Sequence, residues 1–391
     1  MLFLEEISLC IATFAVLTLA WVHPGVLHTT VDLNRMRSLV KSQTQPWYEA
    51  YEAFSADSHS SMSYSFTEAC LVVTRDKDAS LIVCMDQFAS DSTAALQLAL
   101  MWYITADEVY GAKATQILDA WGRTLKVVNG TDGQLAAAIS GSQLVNAAEI
   151  IRYTYPSSSY PNGWTSDSIS AFSTMVQDVL VSPASLTDTT AAVAYPFEAN
   201  WGTSGEKFML AAAVFVENTT LYDYAKELIL YSSCANLSGT ISPTGQASES
   251  GRDQQHTQLG LGNLVEAFQI TTNQYDPQDL FAEMDNRLLL GLEYTAKYLM
   301  GGVVAYDESF VRCDADLLGG PWSAISTSGM TPIRPVWEAG YAHYVNVKGL
   351  SMPYTKALIL ANTPDGQNPS TSISDNAAFE MLRFRLENSG L

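Results

Sequence analysis

From about residue 90 onward, apolar positions recur at helical spacing. Residues 91–105 place Ala94, Leu98, Met101 and Trp102 on one face, and residues 107–128 repeat the pattern with Tyr110, Ala114, Ile117, Leu118 and Trp121. The same period predicts helices over 133–153, 165–182, 203–217, 219–232, 253–271, 279–300 and 336–346, with a last one over 377–387. Turn residues separate them: Pro156 and Pro161, Pro183, Gly239 with Pro243 and Gly245, and Pro332 with Pro335. Alternation of period two is rare, and 70–74 and 81–84 are the candidate strands. The pattern predicts an all-α chain of helical hairpins, closed either as an open superhelix or as a ring. No fixed-period repeat marks a solenoid. Polar loops rich in Trp, Asn, Arg and His fit a ring, an (α/α) toroid or incomplete barrel with a carbohydrate cleft at one end.

The N-terminus breaks the pattern. Ile7 to Trp21 is an apolar stretch, short for a spanning helix and long enough for a signal-peptide core, although it follows Glu5 and Glu6 rather than basic residues. Residues 1–22 are read as a signal peptide, against the alternative of a buried N-terminal helix, and 23–391 as a single domain. No other segment is apolar and long enough to span a bilayer. Cys10 would leave with the signal. Cys70, Cys84, Cys234 and Cys313 remain, without metal-type spacing. Cys70 with Cys84 and Cys234 with Cys313 is one pairing, and the other two stay open. Sequons at Asn129, Asn218 and Asn236 agree with a secreted protein.

Composition narrows the partners. The 391 residues are 47% hydrophobic and 16% charged, and 20 Lys and Arg face 41 Asp and Glu, a net charge of −21. A field of that sign repels nucleic acid and anionic membranes. Cations are so scarce that each Arg or His inside a motif carries information.

Four stretches carry candidate chemistry. Asn200-Trp201-Gly202 offers an amide donor for a carboxylate and an indole to stack on a sugar, though a turn Asn beside a core Trp reads equally simply. ESGRDQQHTQLGLG over 249–262 gathers Glu249, Arg252, Asp253, Gln254, His256 and Gln258; in a helix Arg252 and His256 share a face. DNRLLLGLEYTAKY over 285–298 sets Arg287, Tyr294 and Tyr298 on one face. A cation there would favour the phenolate and let Tyr294 exchange a proton. VWEAGYAHYVNVKGLSMPYT over 336–355 surrounds His343 with Trp337, Tyr341, Tyr344 and Tyr354, as a sugar wall or as an aromatic core. There is no H-E-x-x-H, phosphate-binding loop or G-x-S-x-G elbow. No metal and no cofactor is expected.

Together these stretches, with Asn146-Ala147-Ala148-Glu149-Ile150 and the run starting at His23-Pro24-Gly25, resemble the alginate-lyase-like superfamily of polysaccharide lyases, in the branch that includes glucuronan and alginate lyases. The resemblance runs through Pro353-Tyr354. It implies an (α/α) toroid and β-elimination of a uronic-acid polymer, carried out here by a secreted monomer. Matched onto this chain, Asn200 neutralises the uronate carboxylate and His256 assists it or acts as base. Arg287 tunes Tyr294, the acid and a second candidate base. Trp201, Glu249, Arg252 and Gln254 shape the subsites, with Tyr298 and His343 in reserve. Other toroidal lyases place His directly after the neutralising Asn, where this chain has Trp201, so the base stays open between His256 and Tyr294. The rivals are a glycoside hydrolase, with Glu249, Asp253 and Glu338 as its carboxylates, and a carbohydrate-binding protein without turnover. A polyanionic substrate on so acidic a body requires Arg252, His256, Arg287 and His343 to converge on the groove.

Overall fold

Helices that pack against other helices on every side have almost no charged positions, and four in this chain meet that description. The computed structural model describes residues 20–76, 80–156, 163–181, 199–313, 315–362 and 375–391. The expected signal segment up to residue 19, Pro161, Pro183 and the polar stretch 363–374 lie outside them. Two N-terminal helices, α1 (Thr30–Lys41) and α2 (Trp47–Ala56), precede the region where the periodicity is clear. The start of α1 was legible locally: Thr29 and Asp32 form a capping box that satisfies both orphan N–H groups.

The four apolar helices are α3 (Met85–Thr105), α5 (Gly133–Thr154), α7 (Ala199–Val216) and α9 (Gln254–Asn273). Every residue of α5 from Gly133 to Ile151 is buried. Between them run α4 (Glu108–Thr124), α6 (Ser166–Met175, continued by a π-turn to Val181), α8 (Thr219–Tyr231) and α10 (Glu283–Leu299). Of these, α4 and α8 bury one stripe only, as an outer helix does.

Side-chain pairs fix the direction of the inner set. Thr93 donates to Gln143 at 2.9 Å and Trp102 to Thr154 at 3.1 Å, between α3 and α5. Gln134 reaches the Trp201 carbonyl, and a Cβ on Gly141 would lie 2.7 Å from the Phe208 ring, so glycine permits the close approach of α5 and α7. Asn263 donates to Ser204 at 2.7 Å and Lys207 pairs with Glu266 at 2.8 Å, between α7 and α9. In each case the residue numbers rise together, so the four helices are parallel and their N-termini share one end. Parallel inner helices returned by outer ones form the expected (α/α) toroid. One continuous apolar core lies between them.

Departures from the expected elements have local causes. The helix of 107–128 stops at Thr124, and Val127–Asn129 becomes strand β3, parallel to β1 (Val72–Arg75), which pairs antiparallel with β2 (Ile82–Val83). Cys70 bonds to Cys84 across that hairpin and Cys234 to Cys313, one of the pairings the sequence left open.

The Asn146–Ile150 motif has a structural task. Asn146 Oδ1 accepts from Leu27 N at 3.0 Å, and Glu149 accepts from Gly25 N and pairs with the His23 ring. Gln274 and Asn273 bind the same segment from the end of α9. The chain before α1 therefore closes the C-terminal end of the inner helices. Asn146→Ala is expected to leave a buried N–H without a partner and to cost about 1–3 kcal/mol in urea unfolding; unchanged stability would show that the anchor is idle.

Candidate functional site

The site forms where α7 and α9 begin. Asp253 caps α9, accepting from the His256 backbone N–H at 2.8 Å and pairing with its Nδ1 at 2.6 Å. Burial pushes the Asp253 carboxyl up. The hydrogen bonds from His256, with the charges of His256 and Arg252, outweigh that and hold it below its ordinary value. A carboxylate only accepts, so Nδ1 carries a proton, and in the neutral imidazole Nε2 presents a lone pair. The His256 side chain is 35% exposed, open to a ligand.

One turn further along α9, Gly260 lies against the start of α7: a Cβ there would sit 3.8 Å from Asn200 Cα. His256 thus stands one turn above Asn200. Asn200 is 1% exposed, and its carbonyl accepts from Ser204 Oγ at 2.6 Å. Arg312 Nη1 faces its Oδ1 at 3.5 Å. A guanidinium only donates, which orients the amide and turns Nδ2 away. Among the described residues Nδ2 has no hydrogen-bond partner, although it is buried. Arg312 is itself buried and pairs with Glu249. Arg252 lies 3.5 Å from Glu249 and 3.8 Å from Asp253, a looser arrangement at a more open position.

Tyr294 projects from α10 and is buried. Its hydroxyl donates to the Ala305 carbonyl at 2.6 Å. Burial, with Tyr306 and Tyr298 beside it, pushes the phenol up to about 12. Tyr298 is half-buried one turn on, and Trp201 half-buried next to Asn200.

Four sequence-based expectations change here. Arg287 does not tune Tyr294: it donates to the Ile241 carbonyl at 2.9 Å, holding the turn before Glu249, and the phenol is raised rather than lowered. His343 is not in the groove. It stacks on Phe281 at 3.8 Å, which packs on Phe268, three turns down α9 from His256. That places it roughly 18 Å along the helix axis from His256. Gln254 is buried, and its amide donates to the Ser250 and Ser326 carbonyls. Glu249 likewise points inward, to the two arginines. Of the four cations expected to converge, Arg252 and His256 do.

Sequence reasoning missed Arg312 and the stretch that carries it. Residues 301–313 and 315–335 lie over the start of α9 and the turn before it, a long connection with little regular structure. Gln246 holds it at Asp307 and Phe310, Gln254 at Ser326 and Ser328, Gln255 at Gly329 and Pro332, and Gln258 at Arg334. Gly251 fits beneath it because a Cβ would meet the Tyr306 hydroxyl at 2.2 Å and Trp322 at 2.8 Å. The density of amides in 246–258 was the readable signal. For Arg312, apart from its neighbour Cys313, there was none. Among the described residues no group of three His, Cys, Asp or Glu is placed to hold a metal ion.

A family model described as alginate lyase matches residues 36–304. No curated protein matches the chain. Among solved structures, an alginate lyase from Bacteroides ovatus superposes with a TM-score of 0.62 at 14% identity, over 94% of this chain and 100% of that one. Alginate lyase A1-III from Sphingomonas species A1 gives 0.59 at 12% identity, over 91% and 95%. A variant of A1-III complexed with a tetrasaccharide gives 0.61 at 12%, over 91% and 94%. At these identities the likeness speaks for the fold.

The relocation of His343 has a consequence for stability. Burial lowers its pKa to about 4, with Asp279 raising it and Lys348 lowering it further. In the unfolded chain it titrates near 6.5. Between those values the unfolded state binds more protons, so stability falls as pH falls, by at most about 3 kcal/mol. His343→Gln is expected to flatten the pH dependence of urea unfolding between pH 6.5 and 4; an unchanged slope would assign it elsewhere.

Proposed function

This chain belongs to the alginate lyase family of polysaccharide lyases, and from that premise we propose that it is a secreted enzyme cleaving a uronic-acid polymer, glucuronan or alginate, by β-elimination. Residues 23–391 serve as one catalytic unit. The two disulfides support an oxidising compartment.

One observation carries the reading: the buried Asn200 amide keeps a donor that is unengaged among the described residues, beneath a His256–Asp253 dyad whose side chain is open to a ligand. Asn200 Nδ2 and Arg252 receive the uronate carboxylate, and neutralising it acidifies the proton at C5. His256 Nε2 removes that proton. The electron pair forms the C4–C5 double bond, and the bond from C4 to the glycosidic oxygen breaks. Tyr294 protonates the departing oxygen, and the imidazolium proton then restores the phenol through solvent. A phenol raised to about 12 keeps its proton at neutral pH, which suits it to the acid role, and His256 is taken as the base.

The hydrolase alternative needs two carboxylates facing each other across a cleft. Glu249 is engaged by Arg312, Asp253 by His256 and Glu338 by Arg385, so the geometry favours elimination.

Incubation with glucuronan and alginate is expected to raise ultraviolet absorbance from the unsaturated uronate; new reducing ends without it would mean hydrolysis, and neither would mean binding alone. His256→Ala and Tyr294→Phe should each lower the rate at least roughly 100-fold with the fold retained. Near-normal turnover in either variant removes that residue from the mechanism. Asn200→Ala should cost a similar factor, and full activity there would sink the carboxylate-binding assignment.

A further inference from the structure

A second cluster with nucleophile chemistry stands on the same rim, on α3 rather than on α7 and α9. Asp57 follows α2 and caps a short turn, accepting from the His59 N–H at 2.8 Å. His59 Nδ1 lies 3.0 Å from Asp57 Oδ1, and His59 Nε2 lies 3.0 Å from Ser90 Oγ. Ser90 belongs to the second turn of α3, close to the end where all four inner helices begin. Two helices separate α3 from α9, and Asn200 on α7 is on the order of 20 Å around the rim at ordinary interaxial spacing. The Asp57 side chain is 3% exposed and that of His59 16%, with Ser90 half-buried, so the carboxylate is the innermost of the three groups.

Burial pushes the Asp57 carboxyl up, but hydrogen bonds from the ring and backbone of His59, its charge, and a bond from Gln97 hold it below its ordinary value. It is therefore a carboxylate and accepts from Nδ1–H; in the neutral imidazole that tautomer leaves Nε2 to accept from the Ser90 hydroxyl. The Tyr64 hydroxyl donates to Asp91 at 2.7 Å and lies 3.0 Å from Ser90 Oγ. It also supplies an O–H donor beside the nucleophile, where an oxyanion would form.

We propose that Ser90, His59 and Asp57 form a second catalytic site, an acyl-transfer triad hydrolysing small O-acyl esters such as those on sugar hydroxyls. Ser90 Oγ attacks the ester carbonyl carbon as its proton passes to His59 Nε2. The tetrahedral intermediate collapses with cleavage of the carbon–oxygen bond, and the imidazolium returns the proton to the departing alcohol. Water then attacks the acyl-serine, giving its proton to Nε2, and the carboxylic acid leaves as Oγ recovers its hydrogen. Tyr64 turns its O–H from Asp91 to the carbonyl oxygen during both attacks. The triad is independent of the elimination chemistry and stands whether or not a polyuronate is the polymer.

The test uses the full chain with p-nitrophenyl acetate and, separately, a fluorophosphonate probe followed by peptide mass spectrometry. The expected result is probe on Ser90 and ester hydrolysis that falls at least roughly 100-fold in Ser90→Ala and His59→Ala. Ser90→Ala removes one oxygen, and its thermal melt reports whether the fold is kept. Lyase activity should survive Ser90→Ala, and ester hydrolysis should survive His256→Ala, so failure of one reading is visible apart from failure of the other. Unlabelled Ser90, or a Ser90→Ala variant hydrolysing the ester at the wild-type rate, overturns the proposal.

Discussion

The buried ion pair between Arg312 and Glu249 is the interaction on which the rest of the site depends. It joins three pieces of chain that are distant in sequence: the start of α7, the segment entering α9, and the connection of 301–335. Two charges this deep recover their desolvation cost only with good geometry and further hydrogen bonds. Both are provided. Arg312 donates its backbone N–H to Ser248, the residue before Glu249, and Cys313 next to it is bonded to Cys234. The pair then imposes order outward: it orients the Asn200 amide and gives Arg252 its carboxylate neighbour. Loss of either partner would weaken the compensation of the other's buried charge, in keeping with the amount of backbone fixed around the pair.

The amide side chains of 246–258 show how a long irregular connection is kept in place. A stretch of this length has many backbone carbonyls that helices would otherwise satisfy. Gln246, Gln254, Gln255 and Gln258 supply donors and acceptors along it. Each Gln lies on the rigid start of α9 or the turn before it, so the connection inherits that rigidity. The same residues in an exposed loop would suggest sugar binding, which was the reading given to Gln254. Burial separates the two uses, and burial of a polar position is what a one-dimensional pattern shows least well.

The architecture was legible because it rests on periodicity. The inner helices are poor in charge, α7 carrying only the buried Glu206 and Lys207, and the helix boundaries came within a few residues except at the start of α3, which lies six residues earlier, and where β3 cuts short the helix of 107–128. The chemistry of 249–258 was legible because charge is scarce elsewhere. Arg287 and Tyr294 were misjudged together: seven residues apart they do share a face, but the Arg reaches across to Ile241 instead of along the helix. His343 was misjudged because aromatics around a His describe a core and a sugar wall equally well. Arg312 could not be found, since the partners that tie it to the site, Glu249 and Asn200, are 63 and 112 positions away.

Charge distribution links these points to the polymer. Most cations of known partnership brace the body: Lys207 with Glu266, Lys226 with Asp276, Arg334 with Asp375 and Arg385 with Glu338. At the site, the guanidiniums of Arg252 and Arg312 are matched by the carboxylates of Glu249 and Asp253, so the groove is close to neutral on a body of charge −21. A neutral groove does not attract a polyanion from a distance, and the surrounding field opposes its approach. Recognition must therefore come from short-range groups that strengthen as water leaves. A buried amide donor, and an arginine held at 3.5–3.8 Å rather than in a tight pair, are groups of that kind. Screening by salt weakens the repulsive field more than these desolvated contacts. Moderate ionic strength should then aid binding of a charged polymer by this protein, opposite to the usual behaviour of a basic groove.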